Sequence, residues 1–290
     1  MACHCELKIW CASAGATELL QLAVAEVARI ETKYSRYRAD SVVSQINRHA
    51  GGTPFQVDDE TASLLDFAAQ CQAMSAGRFD ITSGVLRRAW DFKAQRPPEQ
   101  ATIAKLLPLV GWQYVHWDRP WFSLTKLGME IDFGGFGKEY AADRAASVLG
   151  AAGAEHALVN LGGDVRLTGP QANGAHGHGS PWRIGIQHPR SAHQLIASIE
   201  IKEGALATSG DYERFLIYEG KRYSHLLDPH TGWPVQCAQS VSVKAPLCVF
   251  AGAMASCALL LGDAGLEFLR AQNVEFLWVD QQGNRYSAYV

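Results

Sequence analysis

Residues Asp132-Phe133-Gly134-Gly135-Phe136-Gly137-Lys138-Glu139-Tyr140 form a glycine-rich turn between a strand-like run and a helical stretch. Such a junction calls for a fold that mixes strands and helices. It also leaves the first amides of the helix without intrahelical partners, at the positive end of the helix dipole. An anion suits that position. The helix end alone supplies about 0.3 to 2 kcal/mol, so a tightly held phosphate needs a supplement such as Lys138 or a cation. The glycines fit neither the dinucleotide fingerprint nor the P-loop. Taken alone, the segment is equally well a glycine turn with no ligand.

The flanking text agrees with a mixed fold. Residues Thr17 to Tyr34 place Leu19, Leu20, Ala23, Val24, Val27 and Ile30 on one helical stripe, after a strand-like start at Met1 to Trp10. A second helical pattern starts at Asp58 or Asp59, both suitable N-caps, and ends at Gly77. Val115 to Asp132 reads as a hairpin with turns at Asp118-Arg119-Pro120 and Gly128. A third helix is expected over Gly137 to Ala152, then strand, turn and strand over Ala157 to Leu167. Further strands are expected at Arg183–Gln187, Ala197–Ile201, Phe215–Tyr218 and Ser240–Val243, before an Ala-rich helix from Val249 to Leu261. Residues 168–181, rich in Gly, His, Ala and Ser, are expected to form a mobile surface loop inside a single α+β domain spanning 1–290.

The 290 residues, 48% of them hydrophobic, suffice for a sizeable core. With 26 Lys and Arg against 29 Asp and Glu the net charge is -3, which gives no broad positive field for generic nucleic-acid binding. The 7 cysteines are an odd, scattered set, as expected of reduced thiols. The longest apolar run near the end, Cys257 to Gly262, is far short of the roughly 20 residues of a membrane helix. The first ten residues lack the basic start and apolar stretch of a signal peptide.

His225 stands where a strand-like run enters Asp228-Pro229-His230-Thr231-Gly232, so it can reach into a cleft as a neutral-pH base worth about 10² to 10⁴ in rate. A structural histidine bonded to the turn is the competing reading. Phe79-Asp80-Ile81-Thr82-Ser83-Gly84 and Thr208-Ser209-Gly210-Asp211-Tyr212 gather hydroxyls, carboxylates and glycines at element ends. Cys3-His4-Cys5 and His176-Gly177-His178 have no second half of a metal site and are read as incidental.

Taken in order, these segments resemble the ApbE family of FAD-dependent protein FMN transferases, nearly end to end. The carriers are Tyr37-Arg38-Ala39-Asp40-Ser41 leading to Asn47, Gly77 to Gly84, Asp132 to Asp143, Val159 to Asp164, Ala207 to Tyr212, and His225 to Pro234. The resemblance implies a single-domain α+β fold of the T-fold-like ApbE type. It implies a reaction in which FAD binds beside Mg²⁺ and a Thr or Ser hydroxyl of a target flavoprotein attacks the FMN phosphorus, releasing AMP. It also implies His225 as the base, and Met1, Tyr37, Arg78, Phe79, Asp80, Asp132, Lys138 and Leu226 as FAD contacts.

Two departures stand out. Where the family usually reads Ala-Asp-Ala-x-Asp/Ala-Thr, this chain has Ala251-Gly252-Ala253-Met254-Ala255-Ser256. Gly252 thus lacks the principal carboxylate of the metal site, leaving Ser256 and the backbone carbonyl of Gly135. Such a half-site is expected to bind Mg²⁺ weakly without FAD. Glu139, where the family usually has Gly, is expected to crowd the helix start with negative charge and disfavour a phosphate. Three readings follow: a transferase with a weakened metal site, a non-catalytic FAD-binding or flavin-delivery protein, and a pyrophosphatase giving FMN and AMP. The expected compartment is the cytoplasm, because the first strand begins at Met1, or the periplasm if a leader has been removed.

Overall fold

Alternation along the strands decides which face each residue covers. The computed structural model describes residues 3–11, 15–172 and 179–288. It begins with β1 (Cys5–Ile9), α1 (Ala16–Tyr34), α2 (Val42–Arg48), β2 (Phe55–Gln56), α3 (Asp59–Met74) and a 3-10 segment, Ile81–Arg88. Next come α4 (Gln100–Leu106), the hairpin of β3 (Val115–Asp118) and β4 (Trp121–Leu124), α5 (Gly137–Ala151), β5 (Ala157–Leu161) and β6 (Asp164–Leu167). The chain continues with β7 (Trp182–His188), β8 (Ser191–Ile201), β9 (Gly204–Gly210), β10 (Phe215–Tyr218) and β11 (Lys221–Ser224). It ends with β12 (Ala238–Ala245), α6 (Cys248–Leu260), α7 (Gly265–Ala271), β13 (Glu275–Asp280) and β14 (Arg285–Ser287). Met1 and residues 173–178 of the expected loop, with His176 and His178, lie outside the described residues.

Seven strands form one antiparallel sheet in the order β1-β5-β6-β9-β12-β13-β14. Ala157, Val159 and Leu161 of β5, Ala205 and Ala207 of β9, and Phe276 and Trp278 of β13 join the core that also holds the buried faces of α1, α3, α5 and α6. Their neighbours Leu158, Leu206, Leu277 and Val279 point the other way, into a second core closed by Trp182, Ile184 and Ile186 of the β7–β8 ribbon. This period of two buries both faces of the sheet.

The helices start where their caps dictate. Asp58 accepts the Thr61 amide at 2.8 Å ahead of α3, and Ser41 accepts the Ser44 amide at 3.1 Å ahead of α2. Neither α2, α4 nor α7 was expected, since seven residues each is too short for a readable stripe. The start of α6 is capped from another helix. The two carboxylate oxygens of Asp143, on α5, accept the amides of Cys248 and Val249 at 2.9 and 2.8 Å. This contact fixes how α5 and α6 face one another. Among the described residues no helix is long and apolar enough to cross a membrane.

Candidate active site

The glycine turn is held by aromatic packing. Phe136 is fully buried, with ring centroids 5.1 Å from Phe133 and 6.2 Å from Phe79. A β-carbon on Gly135 would come within 3.0 Å of the Phe79 ring, so glycine is what lets the backbone pass. Not all the turn amides are free, as the sequence had suggested. Gly134 donates to Asp132 Oδ1 at 3.0 Å, and Phe136 and Gly137 donate to the Phe133 carbonyl at 3.1 and 2.6 Å. Among the described residues no backbone carbonyl accepts from the amides of Lys138 and Glu139, and α5 has no side-chain N-cap. Free amides at a helix start are suited to an anion.

Lys138 Nζ lies 2.5 Å from Oδ2 of the buried Asp164 and 3.5 Å from the Gly162 carbonyl. The fold also holds Asp164 through the Thr208 amide, which donates to its Oδ1 at 3.0 Å. Burial lowers the Lys138 pKa, but the carboxylates of Asp164 and Glu139 outweigh it and hold the ammonium well above its ordinary range. Glu139 does not crowd the helix start, contrary to expectation. Its side chain turns inward and is buried, and burial together with Asp164 pushes its carboxyl well above the usual range.

Asp132 forms an ion pair with Arg36. The same guanidinium donates to the Tyr37 hydroxyl at 2.9 Å and lies 5.0 Å from the Tyr37 ring centroid. Tyr37 is 76% exposed, so its ring face is open to a ligand. Across the cleft Arg78 Nη1 meets Asp228 Oδ2 at 2.5 Å, tying the Phe79 segment to the turn after His225. Asp80 is committed to the fold. Its Oδ1 accepts the Thr82 amide and hydroxyl at 2.8 and 2.7 Å, and its Oδ2 accepts the Trp112 amide at 2.8 Å. A cavity of about 300 Å³ opens beside it, lined in part by Gly77, Gly111, Gln113 and His230.

The β10–β11 hairpin delivers His225. Its amide donates to the Arg214 carbonyl at 3.0 Å, and its Nδ1 lies 3.3 Å from the same oxygen. A carbonyl only accepts, so Nδ1 carries the proton and Nε2 keeps a bare lone pair. Burial, then the Arg214 charge and the more distant Lys138, push the His225 pKa down to about 4. The imidazole is therefore neutral at pH 7 and feels the charge at the glycine turn. Leu226, next in the chain, is half-buried against the main core, and its carbonyl accepts the Val235 amide at 2.9 Å.

Ser256, on α6, shares a hydrogen bond of 2.8 Å with Ser209 of β9. Among the described residues no group of three or more His, Cys, Asp or Glu side chains forms a ready metal shell. Sequence reading missed Arg36 and Arg214. Arg36 directly precedes Tyr37, so its position was a usable signal, whereas Arg214 acts through its backbone carbonyl and gives none.

An antiparallel sheet layered with helices, with two free amides and a lysine at one helix start and a neutral histidine that feels the Lys138 charge, makes this an α+β protein with groups suited to a nucleotide. The chain belongs to the ApbE family, whose model matches residues 1–278. It is 28% identical over 270 residues to an FAD:protein FMN transferase of Vibrio cholerae, covering 90% of this chain and 78% of that one. It is 34% identical over 214 residues to one of Klebsiella pneumoniae, covering 72% of this chain and 64% of that one. Among solved structures, the ApbE protein of Thermotoga maritima superposes with a TM-score of 0.86 at 31% identity, over 97% of this chain and 93% of that one. The flavin transferase ApbE of Vibrio cholerae does so with a TM-score of 0.83 at 27% identity, over 99% and 94%.

Proposed function

We propose that this chain transfers FMN from FAD to a hydroxyl of a target flavoprotein, leaving FMN attached through a phosphoester and releasing AMP. Family membership and the names of its relatives support the reaction. The observation that carries the assignment of parts is His225, a neutral imidazole with its proton fixed on Nδ1 and Nε2 bare. Nε2 accepts the proton of an acceptor Thr or Ser hydroxyl. The hydroxyl oxygen bonds to the FMN phosphorus, the bond from that phosphorus to the bridging oxygen breaks, and AMP departs with that oxygen.

The free amides at the start of α5 and the Lys138 ammonium are suited to the diphosphate. Tyr37 offers a ring face, and Asp132, the Arg78-Phe79-Asp80 segment and Leu226 are the remaining FAD contacts in this reading. The residues present also fit a hard cation. The Gly135 carbonyl and Ser256 hydroxyl are oxygen donors, and Glu139 Oε2 is a buried carboxylate oxygen with no hydrogen-bond partner. Bound Mg²⁺ would supply stabilisation of the charge that builds on the phosphate oxygens. The relatives named FAD:protein FMN transferase favour the catalytic reading over the non-catalytic one.

The test is incubation with FAD, graded Mg²⁺ and a target domain bearing an acceptor Thr, followed by mass measurement of the target. An FMN-sized gain is expected, and no gain at any Mg²⁺ concentration removes the reading.

A further inference from the structure

Asp143 anchors α5 to the first amides of α6. One turn back along α5 stands Glu139, and one turn on along α6 stands Gly252, so the antiparallel crossing brings them face to face. A β-carbon on residue 252 would lie 2.7 Å from Glu139 Cγ, 2.9 Å from its Oε1 and 3.0 Å from its Cδ. Real β-carbons do not approach that closely. The Glu139 carboxylate therefore fills the volume that a short side chain on residue 252 would need, and only glycine at 252 admits it.

This carboxylate is poorly satisfied. Glu139 is 6% exposed and its Oε2 has no hydrogen-bond partner. Its charged neighbours are Asp164, itself 1% exposed on its side chain, and Lys138, the ammonium already paired with Asp164. Two buried carboxyl groups face one ammonium, and the ion pair goes to Asp164, so Glu139 has no cation of its own. Ser256 lies one turn beyond Gly252 on the same face of α6. Among the described residues no backbone amide donates to the Gly135 carbonyl.

We propose that Glu139 is the carboxylate ligand of the divalent cation, reaching from α5 into the space that Gly252 leaves open on α6, with the Gly135 carbonyl and Ser256 hydroxyl as further oxygen donors. Residues 139 and 252 form an exchanged pair, one supplying the carboxylate and the other the room for it. The proposal deepens the flavin-transfer reading and rests on it for the identity of the nucleotide. Gly252→Asp alone would place two acidic side chains in one volume, so it is not a repair of the site.

The test is calorimetric titration of Mg²⁺ into FAD-loaded protein, together with the Mg²⁺-dependent shift in melting temperature. It compares the parent with Glu139→Gln, Glu139→Gly and the double variant Glu139→Gly/Gly252→Asp. Glu139→Gln is expected to weaken Mg²⁺ binding by about tenfold or more and to abolish the melting shift. The double variant is expected to recover both relative to Glu139→Gly. Parent-like Mg²⁺ binding by Glu139→Gln, or a double variant no better than Glu139→Gly, overturns the assignment. Flavin transfer by the parent is measured separately. Transfer with Mg²⁺ binding that ignores Glu139 sinks this inference alone, whereas Glu139-dependent Mg²⁺ binding without transfer supports it and sinks the transferase reading.

Discussion

His225 Nδ1 lies 3.3 Å from the Arg214 carbonyl oxygen, so one backbone atom sets both the tautomer and the aim of the ring. His225→Ala is expected to lower FMN transfer by about 10² to 10⁴ while leaving FAD affinity within about twofold. Transfer is read by the mass gain of the target and FAD affinity by flavin fluorescence. Parallel loss of FAD binding would make His225 a binding residue rather than the base.

The same histidine sets a pH profile. With its pKa pushed down to about 4, it is neutral through the physiological range, so kcat/KM should be flat above about pH 6 and fall as pH drops through about 4. An ordinary histidine near 6.5 would place that fall well within the physiological range. A midpoint near 6.5 would show that the ring is solvated in the working enzyme. The profile must be taken at saturating Mg²⁺, so that metal release at low pH is not mistaken for protonation of the base.

Arg36 pairs with Asp132 and braces the exposed Tyr37 ring. Arg36→Ala leaves the Asp132 carboxylate uncompensated beside the glycine turn and lets Tyr37 swing. FAD affinity is expected to fall by about tenfold, or about 1.4 kcal/mol, with Arg36→Lys recovering part of the loss because it keeps the charge but not the fork. Unchanged FAD binding by Arg36→Ala would remove this group from the cleft.

Much of the fold was legible because it depends on local periodicity. The helix α1, the Asp58 cap of α3 and the strand β5 each read directly from neighbours in the chain, although Leu20 and Val24 of the expected α1 stripe are exposed. At the candidate site, His225 and Lys138 stood out in the sequence because each residue type suggests one chemistry. What could not be read was the compensation between residues far apart. Glu139 and Gly252 looked like two separate defects, and only the crossing of α5 and α6 shows that the first side chain occupies the vacancy of the second. Asp80 shows another kind of long-range dependence. The resemblance implies an FAD contact there, and the structure adds that both carboxylate oxygens accept from backbone amides and a hydroxyl, so Asp80 also shapes the segment that carries Arg78 and Phe79.

Glu60 ties three helices together. It accepts from Arg29 at 2.6 and 2.8 Å, from Lys33 at 2.6 Å and from the Tyr140 hydroxyl at 2.8 Å. The Arg29 hydrogen bonds, reinforced by Lys33 and Tyr140, hold its carboxyl well below the ordinary range. A depressed folded pKa means that the unfolded chain binds the proton first, so this stabilisation is present above about pH 4.3 and is lost as pH falls. Glu60→Gln should therefore cost about 1 kcal/mol at pH 7, and the gap from the parent should close progressively below about pH 4. A gap that stays constant into acid would mean that packing, not charge, is what Glu60 contributes.

Asp143 makes the most local demand on stability with the most distant effect on the site. It caps two amides at the start of α6 and pairs with Arg166 Nε at 3.0 Å, so Asp143→Ala strips the cap from a helix that is apolar on all sides. Loss of an N-cap costs about 0.5 to 2 kcal/mol, and a guanidinium left without its partner adds to that. The expected result is a fall of about 2 kcal/mol in urea unfolding with an unchanged m-value. Because the same contact sets how α5 and α6 face one another, Mg²⁺ affinity should weaken in the folded variant as well. Asp143→Asn keeps one acceptor oxygen and should restore part of both. Stability lost with Mg²⁺ affinity intact would mean that the Asp143 cap is not what holds Glu139 opposite Gly252.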